Sequence, residues 1–246
     1  QLLTGQAGYL EALCFAPDNN GLYSAAYTTP TSGIIIFWDL INDTHNQFAT
    51  YNSRIRSIDI SPNGRYLVAG TDKGIVKWSI RTQDQTVIHA ANNNFFNVVS
   101  HNTRGTLIAA GDKKGTIYLF NANTNSLLRT FTAHNARVVD LKFSPDDTQL
   151  ASCSYDSKIK IWNTRDLDLR PVEIIVPENL GLSIAFSPNG KNLISAHQND
   201  RIYIWSTRAD DMASQICSKV SRNLNIREWE AYVGYDIDFQ NTCPDK

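Results

Sequence analysis

The chain has 246 residues, 42% hydrophobic and 19% charged, with a formal net charge of −1. That is globular material, long enough for one large core or two small ones, with no bulk field to favour nucleic acid or an anionic membrane. No apolar run approaches the ~18–20 residues of a membrane-spanning helix, and the opening "QLLTGQAGYLEALCF" lacks the basic region and continuous apolar core of a signal peptide.

From the N-terminus, short apolar segments alternate with turn residues. "QLLTGQ" reads as the end of an outer strand. Five units follow, each with a turn: "APDNNG", "SPNG", "HNTRG", "SPDD" and "SPNG". After each turn comes a small-residue strand ("LYSAAY", "YLVAGT", "LIAAGD", "LASCSY", "LISAHQ"), and then a third strand ending in an aromatic residue. Those aromatics are Trp38, Trp78, Phe120, Trp162 and Trp205, spaced 40, 42, 42 and 43 residues apart. Pro145 and Asp146 suit a type I turn, proline presetting its own φ and aspartate bonding back to the backbone. "TDKGIV" and "DKKGTI" are hairpin turns, where Asp and Gly supply positive φ. Period-two hydrophobicity in short, even segments predicts repeated four-stranded antiparallel sheets. Such a sheet buries both faces only by stacking on its neighbours.

The fourth unit carries a polar set within this frame: His134, Ser152, Asp156 and Trp162. An Asp in a tight turn needs donors, imidazole can bridge it to a hydroxyl, and an indole N–H can supply the last donor. Spacing and residues together resemble the WD-repeat β-propeller family, over roughly residues 1–207. The resemblance implies a buried hydrogen-bond network at those four residues. The other units depart from it. The first has Trp38 and Asp39 but Ser32 in place of the turn aspartate. The second has Asp72 and Trp78 with Tyr51 at the histidine position. The third has Phe120 with Lys114 at the Asp position, and the fifth has Trp205 with Ser195 and Asn199. Apolar packing is therefore expected to dominate, with one fully networked blade.

The expected fold is all-β, a WD-repeat propeller with five four-stranded blades visible. Two readings of closure stand. Residues 1–6 zip onto the last blade and close a small ring, or the chain is the C-terminal part of a larger ring, which in this family usually has seven blades. The absent initiator Met favours processing or excision.

Residues 208–246 depart from the repeat. "TRADDMASQICSKVSR" reads as helix, and Asn225 with Glu228 forms a helix-start signature, flanked by Leu224 and Trp229 at staple positions and by Gly234 as a stop. This stretch resembles the tail that follows WD repeats in large bacterial multidomain proteins, which join a signalling NTPase, kinase or caspase-like protease to the repeats. A capping tail over the last blade is the simplest role.

Four cysteines are too few for a disulfide framework in a chain of this size. Cys14 and Cys153 fall in strand-like segments as small hydrophobes. Cys217 and Cys243 could pair in an oxidising compartment, while a cytoplasmic location is the default. No Cys-x-x-Cys or His-x-x-x-His spacing offers a metal site. No G-x-S-x-G or phosphate loop appears, and His45, His89, His101, His134 and His197 fall in separate units. No cofactor, catalytic residue, nucleic acid, membrane or small-molecule substrate is expected.

Binding fits better. Propellers present the loops that lead into their innermost strands, with the adjoining second–third turns. The lead-in positions are Tyr9, Arg54, Phe95, Arg137 and Leu180, and the adjoining turn positions are Thr71, Tyr155 and Gln198. Tyr and Arg are typical anchors for protein partners, so Tyr9, Arg54, Phe95, Arg137, Tyr155 and Leu180 form the candidate surface. The competing view is that Phe95 and Leu180 plug the channel mouth and the arginines are solvated. The expectation is a protein-docking module regulating an attached effector, or alternatively the structural or autoinhibitory body of a larger enzyme, touching another segment of its own polypeptide.

Overall fold

The period-two pattern becomes nineteen strands and two helices in a computed structural model that describes residues 3–176, 180–198, 200–232, 238–241 and 243. Blade 1 comprises β1 (Tyr9–Phe15), β2 (Gly21–Thr29), β3 (Ser32–Asp39) and β4 (Thr44–Tyr51). Blade 2 has β5 (Ile55–Ile60), β6 (Tyr66–Thr71), β7 (Gly74–Ser79) and β8 (Gln85–Ala90), and blade 3 has β9 (Phe96–His101), β10 (Leu107–Asp112), β11 (Thr116–Asn121) and β12 (Leu127–Thr132). Blade 4 contains β13 (Val138–Phe143), β14 (Gln149–Ser154), β15 (Lys158–Asn163) and β16 (Val172–Ile175). Blade 5 has three strands, β17 (Gly181–Phe186), β18 (Asn192–His197) and β19 (Ile202–Ser206). Every sheet is an antiparallel meander in sequence order.

Register repeats from blade to blade. The third-strand aromatic always faces an aliphatic residue of the second strand: Leu22–Trp38, Leu67–Trp78, Ile108–Phe120, Leu150–Trp162 and Leu193–Trp205. The innermost strand of every blade carries a register shift near its start, passing over Glu11, Arg56, Asn97, Val139 and Leu182. Such a bulge bends the strand and re-aims the extra side chain.

Successive blades share cores. Tyr23, Ala25 and Ile35 of blade 1 meet Ile58, Leu67 and Trp78 of blade 2. Ala109, Ile117 and Leu119 of blade 3 meet Leu141, Leu150 and Trp162 of blade 4, and Ala151, Cys153 and Ile159 of blade 4 meet Ile184 and Leu193 of blade 5. Each large aliphatic side chain buried this way contributes about 1.5–3 kcal/mol. Polar clamps reinforce the seams. Asp59 accepts from the His101 backbone (2.6 Å), Asp140 from the Ile184 backbone (2.9 Å) and Ser183 (2.8 Å), and Asp147 from the backbones of Thr103 (2.7 Å) and Arg104 (3.0 Å). Burial raises the pKa of the Cys14 thiol and pushes that of Cys153 up to about 12.

The inner strands pack in series, β1 on β5, β5 on β9, β9 on β13 and β13 on β17. Residues 3–6 do not zip onto blade 5, against the first closure reading. They lie on blade 1, where Leu3 packs on Leu22, Ile36 and Trp38, and Gln6 accepts a hydrogen bond from Ser24. The reason is local: Leu3 and Gln6 sit six and three residues before β1 begins at Tyr9, and apolar and polar partners lie immediately below them.

The tail forms α1 (Ala209–Lys219) and α2 (Ile226–Tyr232). Asn225 and Glu228 cap α2 reciprocally, the Glu228 backbone donating to Asn225 (3.0 Å) and the Asn225 backbone to Glu228 (2.9 Å). Gly234 lies outside the described residues. Cys217 and Cys243 are joined in a disulfide, with Cα atoms 5.4 Å apart, so the pairing left open by the sequence is made. Asn223 brackets Cys243 with two backbone hydrogen bonds. Among the described residues of the tail, α1 runs beside β19 and leaves Ile202 and Ile204 exposed, and its own Ile216 is exposed as well. No described helix is long and apolar enough to cross a membrane.

Candidate functional site

In blade 4 the hairpin β14–β15 and the loop before β13 bring four side chains together. Trp162 Nε1 donates to Ser152 Oγ (2.9 Å), Ser152 Oγ lies 2.8 Å from His134 Nε2, and His134 Nδ1 lies 3.1 Å from both Asp156 oxygens. The donors run one way: indole to hydroxyl, hydroxyl to Nε2, and Nδ1–H to carboxylate. Burial holds the His134 pKa below its ordinary value and outweighs Asp156, which acts in the opposite direction, so the imidazole is neutral at pH 7. Asp156 also accepts from the backbones of Asn135 (3.0 Å) and Lys158 (3.1 Å), tying the loop to the hairpin. Gly115 in the preceding blade lets the backbone reach this loop: at φ +87°, a Cβ there would lie 2.2 Å from the His134 carbonyl oxygen.

Other blades improvise on the same theme. In blade 1, Trp38 Nε1 donates to Ser24 Oγ (2.7 Å), and Gln6 takes the imidazole's place. Ser32 sits at the exposed start of β3. In blade 5, Trp205 Nε1 donates to Ser195 (2.8 Å), and the imidazole comes from His197, two residues along the same strand (2.8 Å). Asn199 lies outside the described residues. In blade 2, Ala69 occupies the hydroxyl register and Tyr51 meets Trp78 edge-on at 6.0 Å. In blade 3, Ala110 occupies it, and His89, Phe96, Tyr118 and Phe120 form an aromatic cluster. There Asp112, not Lys114, anchors the turn, accepting from the Lys114 and Thr116 backbones (2.8 Å each) and from Asn94 and Tyr118. The signal for Gln6 lay in "GQ", standing where the fourth unit has "AH"; nothing in the sequence pointed to His197.

The lead-in residues share one geometry. The carbonyls of Arg54, Phe95, Arg137 and Leu180 each accept from the backbone N–H of the adjoining turn: Asp72 (3.2 Å), Lys113 (3.1 Å), Tyr155 (3.1 Å) and Gln198 (3.1 Å). All four pairs therefore lie at one end of their blades. Thr71 does not: it is fully buried, its hydroxyl turned to the Gly74 carbonyl (2.8 Å). Asp72 stands five residues past Leu67, as Tyr155 stands five past Leu150, so the position equivalent to Tyr155 is Asp72 and Thr71 lies one residue before it.

Aromatic rings on this end carry cations. Arg54 stacks on Tyr27 (4.3 Å to the centroid), Arg56 on Phe95 (4.0 Å), and Arg137 on Tyr155 (4.1 Å). Tyr9 stacks on Tyr27 at 5.4 Å and is largely exposed. Arg54 is paired with Glu11 and Arg56 with Asp72. Leu180 is half-buried, and Phe95 lies between Arg56 and Lys113. The sequence reading missed Arg56, because the bulge that aims it is visible only in the pairing. Among the described residues no cluster of three or more His, Cys, Asp or Glu could hold a metal.

Four-stranded meander blades in series, with a third-strand aromatic in constant register, define a WD-repeat β-propeller fold. The WD domain, G-beta repeat model matches residues 44–79, 125–163 and 181–206. It is similar to the WD repeat-containing protein AAC3 of Dictyostelium discoideum (27% identical, covering 67% of this chain and 35% of that one). It also resembles the WD repeat-containing protein 91 homolog of the same organism (28%, 49% and 16%). A third relative is polyadenylation factor subunit 2 of Cryptococcus neoformans (28%, 58% and 19%). The chain thus spans between about a sixth and a third of the length of these curated relatives.

Proposed function

We propose that this chain is a non-catalytic protein-interaction module whose loop face docks a protein partner, and that docking regulates an effector domain of the same polypeptide. The observation that carries the reading is the set of three arginine–aromatic stacks at one end of the blades: Arg54 on Tyr27, Arg56 on Phe95 and Arg137 on Tyr155. Stacking and ion pairing hold these long side chains in place before any partner arrives, which lowers the entropy lost on binding. Tyr9, Phe95 and Leu180 add apolar area among the charges, the composition of interface hot spots.

The test is affinity capture with the intact chain and with two alanine sets, Arg54/Arg137/Tyr155 on the loop face and Arg81/Arg170 elsewhere. A partner bound by the parent should lose at least about tenfold in affinity on the first set, the usual scale of a lost hot spot, and nothing on the second. Partners that bind the loop-face variant as tightly as the parent would sink the reading.

A further inference from the structure

Two neighbouring seams between blades differ in what fills them at the end opposite the loop face. Phe37 and Lys77 hold one register, each immediately before its third-strand tryptophan. Between blades 2 and 3 the Lys77 side chain is buried. Its ammonium donates to the Ala122 carbonyl (2.7 Å) and to Asn125 Oδ1 (2.8 Å), and lies 4.1 Å from the centre of the Tyr66 ring. Two carbonyl oxygens and an aromatic face thus hold an ammonium in this seam, with no carboxylate paired to it among the described residues.

Between blades 1 and 2 the same place is an open cleft of about 560 Å³, lined by Pro17, Asp18, Tyr23, Phe37, Pro62 and Ile80 and by no cationic side chain. Gly21 stands where blade 2 has Tyr66, one residue before the leucine that faces the tryptophan, and a Cβ there would collide with the Phe37 ring. The Phe37 ring therefore lies against the Gly21 backbone. The acceptors that Lys77 uses have counterparts at this seam. Ile80 follows Trp78 by two residues as Ala122 follows Phe120, and Gln83 and Asn125 take the same left-handed turn position, at φ +61° and +60°. The Ile80 carbonyl accepts no hydrogen bond among the described residues. The hydroxyl of Tyr23, a residue only 5% exposed, has no hydrogen-bond partner among them either. Burial pushes the Tyr23 pKa up to about 12, so it is a neutral phenol at pH 7.

We propose that this cleft binds a lysine side chain presented by a protein partner, its ammonium taking the position that Lys77 holds one seam further on. The charge of the cleft agrees, since Asp18 is the one ionised side chain in its lining. The phenol oxygen and the Ile80 carbonyl are acceptors for the ammonium, and the faces of Tyr23 and Phe37 attract a cation once water is excluded. One butylammonium group fills only part of the cleft, and the room left between the Pro17 and Pro62 rings suits the peptide on either side of the lysine. The inference is independent of the loop-face reading: the cleft lies at the β1–β2 and β5–β6 turns, at the far end of the same blades.

The experiment titrates the isotope-labelled full chain with the blocked peptide acetyl-Gly-Lys-Gly-amide and follows backbone amide shifts by NMR. Saturable shifts are expected at Asp18, Gly64 and Ile80. The same peptide with norleucine in place of lysine should bind at least about tenfold more weakly, the loss of a hydrogen-bonded charge. Tyr23→Phe removes only the hydroxyl and should weaken lysine-peptide binding about tenfold. Asp18→Asn should weaken it about two- to fivefold, the scale of an exposed charge pair. The loop-face alanine set Arg54/Arg137/Tyr155 should bind the peptide as the parent does. Absence of any saturable shift at millimolar peptide would overturn the proposal, as would shifts confined to residues outside the cleft. Equal binding of the norleucine peptide would show that the ammonium is not what the cleft recognises. n-Butylamine binding as tightly as the lysine peptide would also overturn it, by making a free amine the occupant.

Discussion

Blade 4 places Trp162 over Ser152, His134 and Asp156; blade 3, one repeat earlier, holds Phe120 in the same register with Ala110 where the serine stands. Backbone pairing is equivalent in the two, so the frame does not depend on the polar chain. The indole brings a donor that must be met once buried, and the hydroxyl, imidazole and carboxylate follow from that one requirement. Phenylalanine brings no donor, and the space is filled by His89, Tyr118 and Phe96 instead. The lesson is that the polar network and the aromatic residue it serves are exchanged together.

Exchanging one atom in each direction should break this pairing. Ser152→Ala strands both the Trp162 indole N–H and the hydrogen bond at His134 Nε2, and should cost about 2–4 kcal/mol, one to two buried unsatisfied groups. Ala110→Ser places a hydroxyl in a fully buried site with no indole beneath it and should cost about 1–3 kcal/mol. Denaturant titration of both variants measures the pair. If either proves neutral, the two registers are not matched as described.

A smaller effect comes from pH. Burial lowers the pKa of His134, His197 and His89 in the folded chain below the ordinary 6.5. The unfolded chain takes up protons below about 6.5 that the folded chain resists, so stability is full above that value and falls as pH drops through the lowered folded pKa values. Denaturation midpoints at pH 7.5 and 5.5 should show the fall. It should shrink in His134→Gln, the residue that blade 1 uses at this place. An unchanged pH difference in that variant would mean that His134 is not the neutral link of its chain.

The smallest effect on the blades should come from the tail. Reducing the Cys217–Cys243 disulfide should loosen the packing of Trp229 against Phe239, seen as a change in tryptophan emission. The main unfolding transition should move by less than about 0.5 kcal/mol, because the sites are separate. A larger shift would show that tail and blades unfold as one unit.

The five aromatics at near-constant spacing, the turn strings and the period-two alternation were enough to read the blade count, the strand order and the blade 4 quartet, because strand pairing and turn chemistry are local. The helix cap at Asn225 and Glu228 was legible for the same reason. Position-by-position counting failed where geometry departs from spacing. Thr71 was counted one residue short of half-buried Asp72, the residue in register with Tyr155, and a bulge aimed Arg56 onto Phe95. The sequence by itself determined which segments become strands and which residues repeat. Only the tertiary structure decided that residues 3–6 lie on blade 1, that Cys217 meets Cys243, and that Leu13 and Ile202 face outward while their equivalents are buried. Burial depends on what stacks against a face, and identical local patterns in the first, middle and last blades carry no record of their neighbours.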